Sequence, residues 1–149
     1  MSTVERPGDF AGPPLPQMGS FATSEVLPLI AQAARELNYA REDRKRLRDL
    51  AAEAKAHAKR TRANLIVTLR VWGNDSTGAA IKTSAERQEW ADADANVQQA
   101  ELDADLAQTL AMNAGDALKH AEDYFSALSG MLAIERDELK AQRGAPHDN

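Results

Sequence analysis

The stretch Trp90–Gln108, WADADANVQQAELDADLAQ, contains six alanines and five acidic residues but few large apolar side chains. Counting in sevens from Trp90 gives one series, and the position three residues later gives a second series with five alanines in succession. The first series is Trp90, Val97, Ala104, Ala111, Leu118, Phe125, Leu132 and Leu139, and the second is Ala93, Ala100, Ala107, Ala114, Ala121 and Leu128. Such alanines suit two helices whose backbones approach closely, so the stretch predicts a helix packed on a neighbouring helix.

A second heptad repeat precedes this stretch and predicts a first helix over about 24–72. Its two series are Ile30, Leu37, Arg44, Ala51, Ala58, Leu65 and Trp72, and Ala33, Ala40, Leu47, Ala54, Thr61 and Thr68. Thr23 or Ser24 can cap this helix, and Pro28 lies near the first turn, where proline is tolerated.

The segment GNDSTGAAIK is rich in turn formers and predicts a chain reversal over 73–83. Thr83 and Glu86 then fit a capping box, which predicts a second helix over about 84–142. The glycines at 115 and 130 are the positions where this helix could be interrupted. The fold class we expect is therefore all-α, a long antiparallel two-helix coiled-coil hairpin with an alanine-rich heptad seam over 23–142.

The N-terminal arm, residues 1–22, carries four of the six prolines and three of the eight glycines without periodicity. We expect this arm and the tail 143–149 to be disordered. The proline cluster at 13–16 is either part of a stiff tail or a short polyproline II ligand. The chain has neither the blocks of a signal peptide nor an apolar run that could span a bilayer, so we expect no membrane partner and a cytoplasmic location.

Composition and motifs argue against an enzyme. The chain has no cysteine, and its histidines at 57, 120 and 147 are far apart without the acidic spacing of a di-iron bundle. The Gly73-x-x-x-x-Gly78 segment is followed by alanine, whereas a phosphate-binding loop needs Lys and Ser/Thr there. We expect no catalytic residue, no cofactor and no metal site.

Half of the 18 Lys and Arg residues lie in the segment 41–62, whose net charge is about +5 because it holds nine cations and four acids. One interpretation is a nucleic-acid contact. The cations proposed for it are Arg44, Lys45, Arg46 and Arg48. The other interpretation is charge pairing with 94–115 across the hairpin, a segment that holds four acids and no Lys or Arg.

A two-helix hairpin leaves an apolar flank on each helix, which self-association as a dimer or higher oligomer would cover. The flank on the second helix includes Leu110, Tyr124 and Met131. The candidate anchors at its open end, opposite Ile30 and Leu37, are Leu118, Phe125, Leu128 and Leu132. The alternative is that these residues are simply core.

The motifs GAAIKTSAER, residues 78–87, and YFSALSGMLAIERDEL, residues 124–139, resemble those of small uncharacterised proteins from tailed phages of actinobacteria. The resemblance implies an accessory or adaptor protein of DNA recombination or replication, with a phage or host DNA-processing partner. A virion scaffolding role is an alternative. Trp72-Gly73 also resembles the secreted WXG hairpins, but their motif is Trp-any-Gly, and Tyr124 here lacks an acid four residues on.

Overall fold

The computed structural model of the chain describes residues 13–14, 23–74 and 78–144, and three α-helices account for 91% of them. Helix α1 spans Thr23–Trp72, α2 spans Ser84–Ala93 and α3 spans Ala95–Gly144. The described residues contain no strand, so the all-α prediction is confirmed. Most of the arm predicted over 1–22, and the tail from residue 145, lie outside the described residues, while positions 143 and 144 form the last turn of α3.

Helix α1 ends in a connection that turns the chain back on itself. Asn74 and Ala80 form an isolated antiparallel bridge, and the Ile81 N–H donates to the Gly73 carbonyl at 3.0 Å. Gly78 adopts a φ of +83°, a conformation that side-chain-bearing residues avoid. These contacts hold the two ends of the connection together beside the buried side chain of Ile81.

The capping box predicted at the start of the second helix is confirmed. Thr83 has an extended backbone, and its Oγ1 accepts from the Glu86 N–H at 3.1 Å. The Glu86 carboxylate accepts in return from the N–H groups of Thr83 and Lys82, at 3.0 and 3.2 Å. Three backbone donors at the helix end are thereby satisfied, which fixes where α2 begins.

The prediction of one unbroken helix over 84–142 is wrong at Asp94, whereas Gly115 and Gly130 both lie inside continuous helix. Asp94 is extended, with a ψ of 126°, and its Oδ1 accepts from the N–H groups of Asn96 and Val97 at 2.9 and 3.0 Å. An aspartate that caps a helix in this way competes with continuous helical hydrogen bonding. The chain therefore begins a new helix at this position.

The molecule comprises two compact units, and α1 and α3 each contribute to both. Unit 1 contains residues up to Arg44 together with Asn113 onward. Its core has two clusters. The first joins Val26, Ala33 and Leu128, and the second joins Leu37, Leu118 and Ala121.

Unit 2 contains Lys45–Met112, and its core is built mainly from small side chains. Its buried apolar residues are Ala51, Ala58, Ile81, Ala91, Val97, Ala100 and Ala111. Alanine therefore fills core positions, as the heptad pattern predicts, in this unit and at Ala114 and Ala121 of unit 1. The predicted series differ from the structure at six positions that are all exposed: Arg44, Thr68, Trp72, Trp90, Ala93 and Leu139.

Candidate functional site

Arg62 joins all three helices within unit 2. Its Nε donates to Glu101 at 2.8 Å, its Nη2 to Asp92 at 2.7 Å and its Nη1 to Gln88 at 3.0 Å. The hydrogen bond to Glu101, followed by that to Asp92, raises the pKa of Arg62. Because arginine is already charged throughout the neutral range, a raised pKa leaves this contact insensitive to pH there. All three guanidinium nitrogens donate to side chains of the same unit, so we do not assign Arg62 to a ligand site.

Charge pairing between the basic segment and 94–115 is seen at the Arg62–Glu101 pair. Arg41 pairs instead with Glu122, at 3.8 Å, which lies beyond the predicted partner segment. Two of the other acids of that segment bind groups close to them in sequence, since Asp94 caps α3 and Asp103 accepts from Gln99 at 2.8 Å. The Arg62–Glu101 pair therefore supports charge pairing at the C-terminal end of the basic segment.

All four cations proposed for nucleic-acid contact are exposed on α1: Arg44, Lys45, Arg46 and Arg48. Arg44 belongs to unit 1, and its Nε would lie 3.8 Å from a Cβ placed on Gly115 of α3. Lys45 and Arg48 belong to unit 2 and form no ion pair with any residue that the structure describes.

Within unit 2, helical spacing brings four exposed cations to one side of α1. We name this surface the basic face, and it consists of Lys45, Arg48, Lys55 and Lys59. Successive members are three, seven and four residues apart, spacings that bring side chains to the same side of an α-helix. No acidic residue of α1 lies on this side between Lys45 and Lys59. The basic face extends over about 21 Å at about 1.5 Å per residue.

A second surface of unit 2 is apolar. Leu102, Leu106 and Leu110 follow one another at four-residue spacing on α3 and are 52%, 57% and 53% exposed. We name them the leucine row. Leu106 lies nine residues, or two and a half turns, from the fully buried Val97, so the row faces away from the core. Gln99 continues the same face, and the Asp103 carboxylate, which accepts from Gln99 at 2.8 Å, lies at its edge.

The residues predicted for protein contact divide by burial. Leu118 and Leu128 are buried in the clusters of unit 1, which matches the core alternative for these two residues. Four others are partly buried against the same clusters: Tyr124, Phe125, Met131 and Leu132. Burial raises the pKa of the Tyr124 phenol above its ordinary value. Only Leu110 is broadly exposed, and the structure places it in the leucine row of unit 2.

A groove of about 550 Å³ lies at the connection between α1 and α2, inside unit 2. We name it the connection groove, and its lining includes Arg70, Trp72, Asn74, Ile81, Lys82 and Arg87. The Trp72 side chain is 80% exposed, and Arg87 Nη1 donates to the Lys82 carbonyl at 2.8 Å. Cations and an aromatic ring thus meet at a site that the sequence pattern did not identify.

Residues 70 and 72 precede the turn, whereas 82 and 87 follow it, so no local motif joins them. The leucine row was likewise only partly anticipated, through Leu110, because a heptad count favours positions on the opposite side of the helix. The sequence signal that identifies it is three leucines at four-residue spacing.

The described residues hold no group of three His, Asp or Glu side chains arranged to bind a metal ion. None of the described helices combines the length and the apolarity that crossing a bilayer requires. Comparison with protein-family models, with curated proteins and with solved structures finds no match to this chain. The protein is all-α. Its candidate surfaces are the basic face on α1, the leucine row on α3 and the connection groove between α1 and α2.

Proposed function

We propose that this chain is a non-enzymatic helical adaptor protein that serves phage DNA recombination or replication through helix-mediated protein contacts. The leucine row carries the proposal, because three half-exposed leucines in line along one helix are the form of a helix-binding surface. The phage context rests on the resemblance of residues 78–87 and 124–139 to small phage proteins.

The proposed scaffold is an antiparallel helical hairpin. In unit 1, Val26 and Ala33 pack with Leu128, whereas Leu37 packs with Leu118, so the partner number falls as the first number rises. In unit 2, Arg62 pairs with Asp92 and the bridge at residue 74 pairs with residue 80, which follow the same rule. The contacts within each unit therefore support antiparallel pairing.

We propose a second copy of the chain as the occupant of the leucine row. An antiparallel copy centred on Leu106 places Leu102 against Leu110 of that copy, so the row is complementary to itself, as a two-fold interface requires. Leucines at four-residue spacing form the ridge that packs into the matching groove of a facing helix.

The size of the row determines the strength of this contact. Each leucine is already about half buried, so covering the remainder stabilises the dimer by roughly 1 kcal/mol per side chain. A stable interface usually buries at least about 1,200 Å², which three leucines per copy do not reach. We therefore expect a transient dimer with a dissociation constant on the order of 0.1–1 mM.

Sedimentation equilibrium from about 10 μM to 1 mM tests the proposal across that range. The parent chain should shift from monomer to dimer, and Leu106→Glu should remain monomeric because it places a carboxylate at the centre of the contact. Leu50→Glu is the matched control, since Leu50 is an exposed leucine of unit 2 on α1.

A monomer at every concentration, or equal effects of both glutamate variants, would refute the leucine row as the binding surface. An open-ended series of larger oligomers would favour a virion scaffold instead. Detection of the chain in the culture medium of expressing cells would favour a secreted hairpin.

Non-specific binding of nucleic acid is the second candidate function, and the exposed basic face is the observation that favours it. Its four cations share one side of α1 without an intervening acid. The whole chain carries a formal charge of −5, so such binding would depend on this local concentration of positive charge.

Fluorescence anisotropy of labelled duplex DNA at two salt concentrations tests this second function. A face of four cations predicts a log–log salt slope no steeper than about −3.6, at about −0.9 per phosphate. Glutamine at all four positions of the basic face should abolish binding. Glutamine at Arg35, Lys119, Arg136 and Arg143, four exposed cations outside that face, makes the same change in charge and should leave most binding intact. Equal losses would show that net charge alone is responsible.

A further inference from the structure

We infer that the connection groove binds a nucleotide unit, with its phosphate held by Arg70, Lys82 and Arg87 and its base stacked on Trp72. This site is distinct from the leucine row and from the basic face. The inference rests on the chemistry of the lining, on the geometry that holds it in place and on its size.

The lining is cationic. Arg70, Lys82 and Arg87 all border the groove, and no carboxylate of the described residues does so. Glu86, which directly precedes Arg87 in the sequence, uses its carboxylate to accept from the N–H groups of Lys82 and Thr83 at the helix cap. Cations gathered in one concave site attract anions and, where arginine is present, match the geometry of a phosphate.

Trp72 supplies a surface for an aromatic ligand. Its indole is the most exposed large apolar side chain of the described residues, and it borders the same groove as the three cations. Exposure of a tryptophan to this extent forgoes the burial that normally stabilises it. A base stacked on the indole face would recover that contact, as aromatic platforms do in proteins that bind single strands.

The groove is held by hydrogen bonds rather than by flexible side chains alone. The Ile81 N–H bonds to the Gly73 carbonyl at 3.0 Å, which fixes the distance between the two halves of the connection. Arg87 Nη1 bonds to the Lys82 carbonyl at 2.8 Å, which anchors one guanidinium at the rim. A volume of about 550 Å³ falls within the range of small-molecule sites and admits a single nucleotide.

This site does not operate as a phosphate-binding loop. Such a loop wraps backbone N–H groups around the phosphates and places Lys and Ser/Thr directly after its last glycine, where this chain has Ala79 and Ala80. Recognition here depends on side chains from both sides of the turn. We therefore expect binding without a requirement for Mg²⁺.

The intrinsic fluorescence of Trp72 provides the test. Trp90 is the only other tryptophan, and Trp90→Phe leaves Trp72 as the sole reporter. This variant is titrated with deoxythymidine monophosphate, with a single-stranded dT decamer and with inorganic phosphate at constant ionic strength. We expect saturable quenching by at least one of the two thymidine ligands and none by inorganic phosphate, which has no base to stack.

Two double variants in the same background localise the ligand. Arg70→Gln with Lys82→Gln should weaken binding at least about tenfold, whereas Lys119→Gln with Arg136→Gln makes the same change in charge outside both the groove and the basic face and should leave the affinity within about twofold. Trp72→Ala, followed by anisotropy of the labelled decamer, should also weaken binding about tenfold. All of these side chains are exposed, so the variants should fold.

Saturation by the monophosphate identifies a free nucleotide as the ligand, and saturation by the decamer alone identifies the end of a single strand. The absence of quenching by both thymidine ligands would overturn the inference, as would equal losses in the two double variants. Self-association through the leucine row is measured independently and does not depend on this result.

Discussion

Gly115 and Gly130 lie inside α3, where glycine disfavours the helix by about 0.5–1 kcal/mol relative to alanine. A Cβ on Gly130 would meet no atom within 4 Å, and one on Gly115 would meet only Arg44 Nε, at 3.8 Å. Neither glycine is therefore needed for close approach. Both positions differ from Gly73, where a Cβ would lie 2.5 Å from the Leu69 carbonyl oxygen.

We predict that Gly130→Ala raises the free energy of unfolding by about 0.5–1 kcal/mol, because it removes backbone entropy from the unfolded chain without a clash. Gly73→Ala should lower it, because the connection must shift to relieve the contact with Leu69. Urea unfolding followed by circular dichroism measures both. If Gly130→Ala lowered the free energy of unfolding instead, a Cβ at this position would have to meet an atom in solution, which contradicts the open space beside Gly130.

Tyr124 allows a second prediction for a single residue. Because burial raises its pKa, the folded chain keeps the phenol neutral at a pH where the unfolded chain, with an ordinary value near 10, has begun to ionise. The stabilisation is complete below about pH 10 and is lost as the pH rises through the folded value.

Tyr39→Phe leaves Tyr124 as the only tyrosine for this measurement. Tyrosinate absorbance in the folded variant should rise at a higher pH than in the same variant held in concentrated urea. Coincident titration curves would contradict the burial of the Tyr124 phenol.

The division of the second helical segment depends on one cap. Asp94 Oδ1 accepts from two backbone N–H groups at the start of α3, and Gln98 Nε2 donates to the Asp92 carbonyl near the end of α2 at 2.8 Å. Side chains thus satisfy backbone groups on both sides of the break.

We predict that Asp94→Ala lowers the free energy of unfolding by about 1 kcal/mol, the usual value of a lost N-cap, while Asp94→Asn retains most of the stability because its amide oxygen can accept the same bonds. Thermal unfolding of the two variants beside the parent chain provides the comparison. Equal stability of the alanine variant and the parent would mean that α2 and α3 join into one helix without cost.

Packing by alanine is the property that extends over the whole molecule, since buried alanines occur in both units. Alanine at these positions allows helices to approach closely, and a larger side chain would force them apart. The stability of the fold should therefore be sensitive to increases in size at buried alanines and insensitive to them at exposed ones.

We predict that Ala100→Leu lowers the free energy of unfolding by about 1–3 kcal/mol, because the buried site has no room for three additional carbons. Ala52→Leu is the matched control at an exposed helical position of the same unit and should change stability by less than about 0.5 kcal/mol. Chemical denaturation measures both variants. A neutral Ala100→Leu would indicate that the alanine seam of unit 2 is loosely packed.

The sequence by itself determined the helical class, the end of α1 at Trp72 and the capping box at Thr83, because each depends on residues within a few positions of one another. The heptad count also placed Ala33, Leu37, Leu118 and Leu128 on buried faces, since periodicity determines which side of a helix turns inward. The break at Asp94 was missed because aspartate is compatible with a helix interior as well as with a cap, and only its hydrogen bonds distinguish the two.

Only the tertiary structure determined which charged, polar and aromatic side chains lie close together. Arg62 reaches Gln88, Asp92 and Glu101 across 26 to 39 positions of sequence, and the cations and tryptophan of the connection groove come from both sides of a chain reversal. A periodic pattern specifies the face of one helix, but not the rotation and register of the helix that packs against it. Those are decided by the packing of both helices together, so side chains distant in sequence become neighbours only in the folded chain.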